Sequence, residues 1–437
     1  MTPFDIPDPQ LRRMGETRPL PREAAALGAW LHSRRLVLLK ALLTRVERAR
    51  PPARTARALD AHWALLEQAE SNDPAAARSA LGYPAVGNWL ARTLEAGPEG
   101  LPAALAGSGP LAAAVATAAG TAFQIDLPTS GGRLTLPGLG TFLTDAPCVR
   151  LEAAGGDVSF TPQSGRTVRL PRAAVLGHGY DAEQAPWRPL RGLPGGFAVL
   201  DDRDPHLGDG TREAGLGGLR PVTLTAPGEA DVWHRMWKRA LRLLREADRE
   251  RAAEVTGLVR SLVPVLWKPQ GRASATRMAA PWAVLATRPH TPEELAEVLV
   301  HEVQHSKLAV LEGVVRLSRP GTEAVFQVGW RSDPRPLDAV LQGTYAHLAL
   351  ADLWDRLARR AAATPAERAA ARGRRADFLT QVDHALFLLL GSGQLTRQGT
   401  EFVEGMRRRH ARLTASGGRD ARGVAVAADK LTNGHFG

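Results

Sequence analysis

The residues best suited to chemistry are His301, Glu302 and His305, in the run Leu299-Val300-His301-Glu302-Val303-Gln304-His305. On a helix, a four-residue spacing puts both imidazoles on one face, about one turn or roughly 6 Å apart, which suits two neighbouring ligands on one metal ion. Glu302 lies beside them as a general base or as a residue that orients a ligand or water. A third ligand has to come from elsewhere. Glu312 follows His305 by seven residues, about 10 Å further along the axis, and cannot share the ion. A third histidine six residues after His305 is absent, because Leu311 stands there. His347 is the first choice for the third ligand, with Asp338 and Asp352 as carboxylate alternatives.

The elements that must position these residues are well marked. Thr291 can cap a helix whose first position is Pro292, and Glu294 completes a capping box. Apolar residues at Leu295, Val298, Leu299, Val303, Leu308 and Leu311 carry that helix towards a stop at Arg319-Pro320-Gly321. The segment before it, residues 273–287, reads as extended. After it, residues 324–328 predict a strand, followed by Gly329-Trp330-Arg331-Ser332-Asp333-Pro334-Arg335-Pro336. In that loop Arg331 and Arg335 suit a carboxylate, since a guanidinium fork matches it bidentately and stays charged. Pro336 then opens a helix through Leu341, Tyr345, His347, Leu348 and Trp354. A separate acidic run, Asp201, Asp202 and Asp204 after a strand at 197–200, offers a weaker cation site; aspartates there usually form turns.

Across all 437 residues, Lys and Arg number 56 against 45 Asp and Glu, a net charge of +11. That charge comes without aromatic interleaving or an RNA-binding motif, so nucleic acid is not expected as a partner. The single cysteine, Cys148, excludes an internal disulfide and points to a reducing compartment. The N-terminus does not read as a signal peptide and no apolar run predicts a membrane span, so a cytoplasmic location is expected. The fold expected is α+β and predominantly α-helical. It has a helical N-terminal part (1–120), a β-rich central part (121–228) with alternation at Phe123-Gln124-Ile125-Asp126-Leu127, and a helical C-terminal part (229–437) carrying the two histidines. The last residues, with Gly417-Gly418 and 433–437, read as frayed.

The chain resembles the HExxH-type 2-oxoglutarate-dependent peptide β-hydroxylases of bacterial ribosomal natural-product pathways. The likeness rests on residues 299–308, on Trp330-Arg331-Ser332-Asp333-Pro334-Arg335-Pro336 with Gly343-Thr344-Tyr345-Ala346-His347, and on Leu200-Asp201-Asp202-Arg203-Asp204-Pro205. The helical stretch around Asp73-Pro74 and Gly87-Asn88-Trp89-Leu90 is also similar. This resemblance implies a mononuclear Fe(II) site on His301 and His305, with 2-oxoglutarate and O2 as cosubstrates. It implies hydroxylation of a β-carbon in a precursor peptide, with other enzymes of the same peptide-modifying pathway as further partners. Three protein ligands would leave three positions for a chelating 2-oxo acid and O2. Arg331 or Arg335 would then hold the distal carboxylate of 2-oxoglutarate. The competing expectation is a zinc metallopeptidase with Glu302 as general base.

Overall fold

Proline, with φ already set near the helical value and no N–H to leave unpaired, opens helix after helix. It stands first in Pro21–Ala49, Pro74–Leu81, Pro84–Glu95, Pro292–Glu312 and Pro365–Gly391. In this computed structural model the described residues are 6–19, 21–177, 186–203, 218–267, 271–321 and 324–432, with side chains described to residue 416. The fold is α+β and 57% helical, with N-terminal helices, central β-sheets and C-terminal helices. Two compact units divide it. One comprises Met1–Ala25, Leu241–Val255 and Ala296–Gly437; the other comprises Ala26–Ala240 and Thr256–Leu295. The three consecutive regions expected from the sequence therefore differ from the spatial units, because contacts tie the first residues to the last helices.

The second unit holds the larger sheets. Phe123–Pro128, Cys148–Ala154, Asp157–Pro162 and Val168–Pro171 form an antiparallel sheet in that spatial order. Cys148–Ala154 alternates buried and exposed residues, the pattern of a sheet with one covered face. Ala280–Ala286 is instead buried at every position. It pairs in parallel with Ser261–Trp267 and antiparallel with Ser274–Arg277, so the expected extended segment 273–287 is a hairpin. Apolar helix residues including Leu81, Val86, Leu90, Leu111 and Val115 share a core with Val263, Ala283 and Leu285. The stretch Leu101–Ala119 is long and apolar enough to cross a membrane, which corrects the expectation that no such run exists. It is mostly buried, and it divides into helices Leu101–Leu105 and Ser108–Ala119, as a core element does.

The acidic run shrinks in the structure. Its strand is only Val199–Leu200. Asp201 accepts a hydrogen bond from the Tyr83 hydroxyl, and Asp202 is held by Arg191, Arg203 and the Leu224 N–H. Asp204 lies outside the described residues, as do 433–437. These bonds commit Asp201 and Asp202 to structural partners rather than to a cation.

The first unit is built on helix pairs. Leu337–Ala358 packs along Pro365–Gly391, and Asp8–Gly15 packs on Arg397–Thr432, which runs on through Gly417-Gly418 where fraying was expected. Gly15 and Gly405 allow that last contact. A Cβ on either would stand 2.0 Å from the carbonyl oxygen of Phe402 or Arg12, so any side chain would force the helices apart. The strand expected at 324–328 is reduced to Val325–Phe326, paired with Arg335–Pro336.

Candidate metal centre

The helix that carries the two histidines starts as its sequence requires, with one shift. Thr291 Oγ1 accepts from the Glu294 N–H at 3.2 Å, while the Glu294 carboxylate reaches past Thr291 to the His290 N–H at 2.8 Å. Leu295, Leu299, Val300, Val303 and Leu308 are buried, which fixes the rotation of the helix. His301 and His305 fall at the border of that buried face and remain half-buried. Their Nε2 atoms approach to 3.0 Å, and their rings meet edge to face with centroids 4.6 Å apart.

His347 comes to the same cluster from the Leu337–Ala358 helix. Its ring centroid lies 5.6 Å from that of His301 and is enclosed by Trp330 at 4.6 Å and Phe378 at 5.2 Å. His347 is buried, and its Nδ1 has no hydrogen-bond partner. Burial, with His305 and Arg374 nearby, pushes its pKa down to about 3, so the ring is neutral and keeps a lone pair to donate. His301 is likewise held well below the usual histidine range, by burial and then by His305 and His347. Donor chemistry and the orphaned Nδ1 both fit a borderline metal such as Fe(II) or Zn(II). Among the described residues, however, no three His, Cys, Asp or Glu side chains are grouped closely enough to hold a metal ion. Two donors converge and the third stands one ring further off.

The carboxylate alternatives sit elsewhere. Asp352 is 1% exposed and is bound by Arg18 at 2.9 Å, Arg251 at 3.2 Å, Arg356 at 3.3 Å and Arg409 at 2.5 Å. Four guanidinium groups hold it below the usual carboxylate range despite burial, and no metal is needed to explain it. Asp338 is exposed in the first turn of the Leu337–Ala358 helix. Glu302 is 1% exposed, on the core side of the helix.

Arg331 and Arg335 converge, but on a carboxylate of the same loop. Arg331 Nε lies 2.9 Å and Arg335 Nη1 3.0 Å from Asp333, whose carboxyl they draw down to about 2. The loop reaches the cluster through Trp330, which lies over Gly343; a Cβ at Gly343 would be 2.8 Å from the indole. Arg374 was not singled out from the sequence. Glu297, one turn before His301, holds it at 2.7 Å, and its guanidinium lies over the rings of Phe378 and Trp354. The sequence also left Gln342 unremarked. Its Oε1 is 3.0 Å from His305 Nδ1, and its Nε2 donates to Glu312 at 2.9 Å. The one available signal was the spacing of Glu297, His301, His305 and Glu312, which returns them to nearly the same helix face.

No protein-family model matches the chain, and no curated protein matches it.

Proposed function

We propose that the protein is an Fe(II)- and 2-oxoglutarate-dependent oxygenase that hydroxylates a β-carbon within a ribosomally made precursor peptide. The observation that carries this reading is the convergence of His301 and His305 through Nε2 on a half-buried helix face, beside the unpartnered Nδ1 of His347. The likeness of residues 200–205, 299–308, 330–336 and 343–347 to peptide β-hydroxylases supports the choice of cosubstrate. The iron, with 2-oxoglutarate and O2, supplies the oxidising power for C–H hydroxylation. The chain's own part is to hold the ion with His301 and His305, with His347 as third ligand. Trp330 and Phe378 pack against the His347 ring. Arg331 and Arg335 would take the cosubstrate carboxylate on the guanidinium groups that now share Asp333. The burial of Glu302 supports an orienting role for it.

Zinc peptidase chemistry uses the same histidines, and the His-Glu-x-x-His motif favours it. One experiment separates the two. Metal-free protein is loaded anaerobically with Fe(II), 2-oxoglutarate is added, and the visible charge-transfer band of a chelated 2-oxo acid is sought. The oxygenase reading expects a band that His301→Ala and His305→Ala each abolish. Absence of the band, with tight zinc binding and peptide cleavage lost about a hundredfold or more in Glu302→Gln, would establish the peptidase.

A further inference from the structure

The His305 ring is held from behind by a directional chain. Its Nδ1 lies 3.0 Å from Gln342 Oε1, and Gln342 Nε2 lies 2.9 Å from Glu312 Oε2. Glu312 belongs to the histidine helix, two turns beyond His305, and Gln342 to the helix that carries His347. Both are half-buried. Each link has one possible polarity when Glu312 is ionised. A carboxylate only accepts, so the amide nitrogen of Gln342 must face it. The amide oxygen then faces His305 and can only accept, so Nδ1 must carry the proton. A neutral imidazole with its proton on Nδ1 has its lone pair on Nε2, the atom that points at His301.

We infer that Glu312 and Gln342 are positioning residues that select the His305 tautomer able to ligate a metal through Nε2. The inference rests on the proposed metal-binding role of His301 and His305. Groups behind a ligating histidine typically alter metal affinity by about 10- to 100-fold. This pair differs from a single carboxylate behind the ring: the amide transmits the acceptor character of Glu312 across a distance that Glu312 cannot span itself. A neutral Glu312 carboxyl could donate, letting the amide turn over and present N–H to Nδ1, which would move the imidazole proton to Nε2 and close the metal side. Glu312→Gln introduces the same ambiguity permanently, because its own amide both donates and accepts.

The test reads the tautomer and the metal separately, both at pH 8.5. Long-range 1H–15N correlation spectra of the metal-free protein, with His305 assigned from His305→Gln, report which ring nitrogen is protonated. Zn(II) alone, titrated calorimetrically, reports affinity. The wild type should show the Nδ1–H tautomer, and Glu312→Gln and Gln342→Leu should each lose it and bind Zn(II) about 10- to 100-fold more weakly. Combining Glu312→Gln with Gln342→Glu exchanges the two groups: the bond between positions 342 and 312 reverses, the amide at 312 now donating, while the carboxylate at 342 can still only accept from His305 Nδ1. It should restore the tautomer and bring affinity back to within about threefold of wild type, which a merely structural role would not achieve. A wild-type His305 protonated at Nε2, or single variants that keep both the tautomer and the affinity, would overturn the inference. If the wild type shows the Nδ1–H tautomer, the singles lose it and no protein takes up zinc, the metal reading fails while the tautomer-selecting chain stands.

Discussion

Two arginines on one aspartate illustrate how a residue's environment qualifies its chemistry. Arg331 and Arg335 carry the fork geometry for a carboxylate, and each uses it on Asp333. In the proposed oxygenase, Arg331→Ala or Arg335→Ala should raise the KM for 2-oxoglutarate about tenfold or more and leave Zn(II) affinity unchanged. An unchanged KM in both variants would remove them from cosubstrate binding and direct attention to Arg374, beside His347. Glu312 makes a second residue-scale prediction. Burial, with a contribution from Asp338, raises its carboxyl to about 7. A carboxyl raised on folding favours the fold fully only below its unfolded value near 4.5, and that contribution is lost as pH climbs through about 7. The metal-free wild type should therefore lose roughly 3 kcal/mol of unfolding free energy from this group between about pH 4.5 and 8. Denaturant titrations across that range should show a flatter profile for Glu312→Gln.

At the scale of elements, the histidine helix and the Leu337–Ala358 helix are joined by a hydrogen bond from Trp354 Nε1 to Glu297 at 2.8 Å and by two longer polar systems. One is the chain from His305 through Gln342 to Glu312. The other lies beyond the histidines, where Lys307 pairs with Glu254 at 2.8 Å, Glu254 with Arg251 at 2.8 Å, and Arg251 with Asp352 at 3.2 Å. All four are buried. Tyr345, from the same helix as Asp352, lies under the Lys307 ammonium and donates its hydroxyl to the Met14 carbonyl. Breaking a buried pair from one side strands its partner's charge, at a cost of about 3–5 kcal/mol. Asp352→Asn should therefore destabilise the protein by about that amount in equilibrium unfolding, with metal stoichiometry unchanged. Loss of the metal from a still-folded variant would instead return Asp352 to the ligand set. Packing is equally exacting at Gly343, where Gly343→Ala should displace Trp330 from His347 and cost about 1–3 kcal/mol.

For the whole molecule, the arginine-rich composition has a structural use that net charge alone conceals. The first residues of the chain are tied to the last helix. Arg12 pairs with Glu401, Arg397 with Asp8 at 2.6 Å, and Arg412 with Glu16 at 2.8 Å. Arg251 donates to the Thr17 carbonyl, and Arg18 bridges Asp248 and Asp352. Deleting residues 1–19 removes all of these together with buried Leu11 and Met14. The melting temperature should fall by roughly 10 °C or more, as a loss of several kcal/mol implies for a unit of this size. An unchanged melting temperature would show that the N-terminal helix merely decorates the surface.

What the sequence determined by itself was local. The histidine spacing, the Thr291 cap, the prolines that open helices and the alternation of the antiparallel strands each follow from short-range sterics and periodicity, so they were legible residue by residue. The α+β class with its helical ends followed from the same signals. Tertiary structure decided which polar groups spend their capacity on one another. Arg356, one turn after Asp352, is a local pair the sequence does show, but nothing near Asp352 in the chain shows that Arg18, Arg251 and Arg409 will also claim it, and nothing near His305 shows that Gln342 will fix its ring. Those partners come from helices whose approach is set by burial of apolar faces, a non-directional force that leaves no motif at the polar residues it brings together. The same force placed the first helix against the last, where only the absence of a side chain at Gly15 and Gly405 lets the backbones meet.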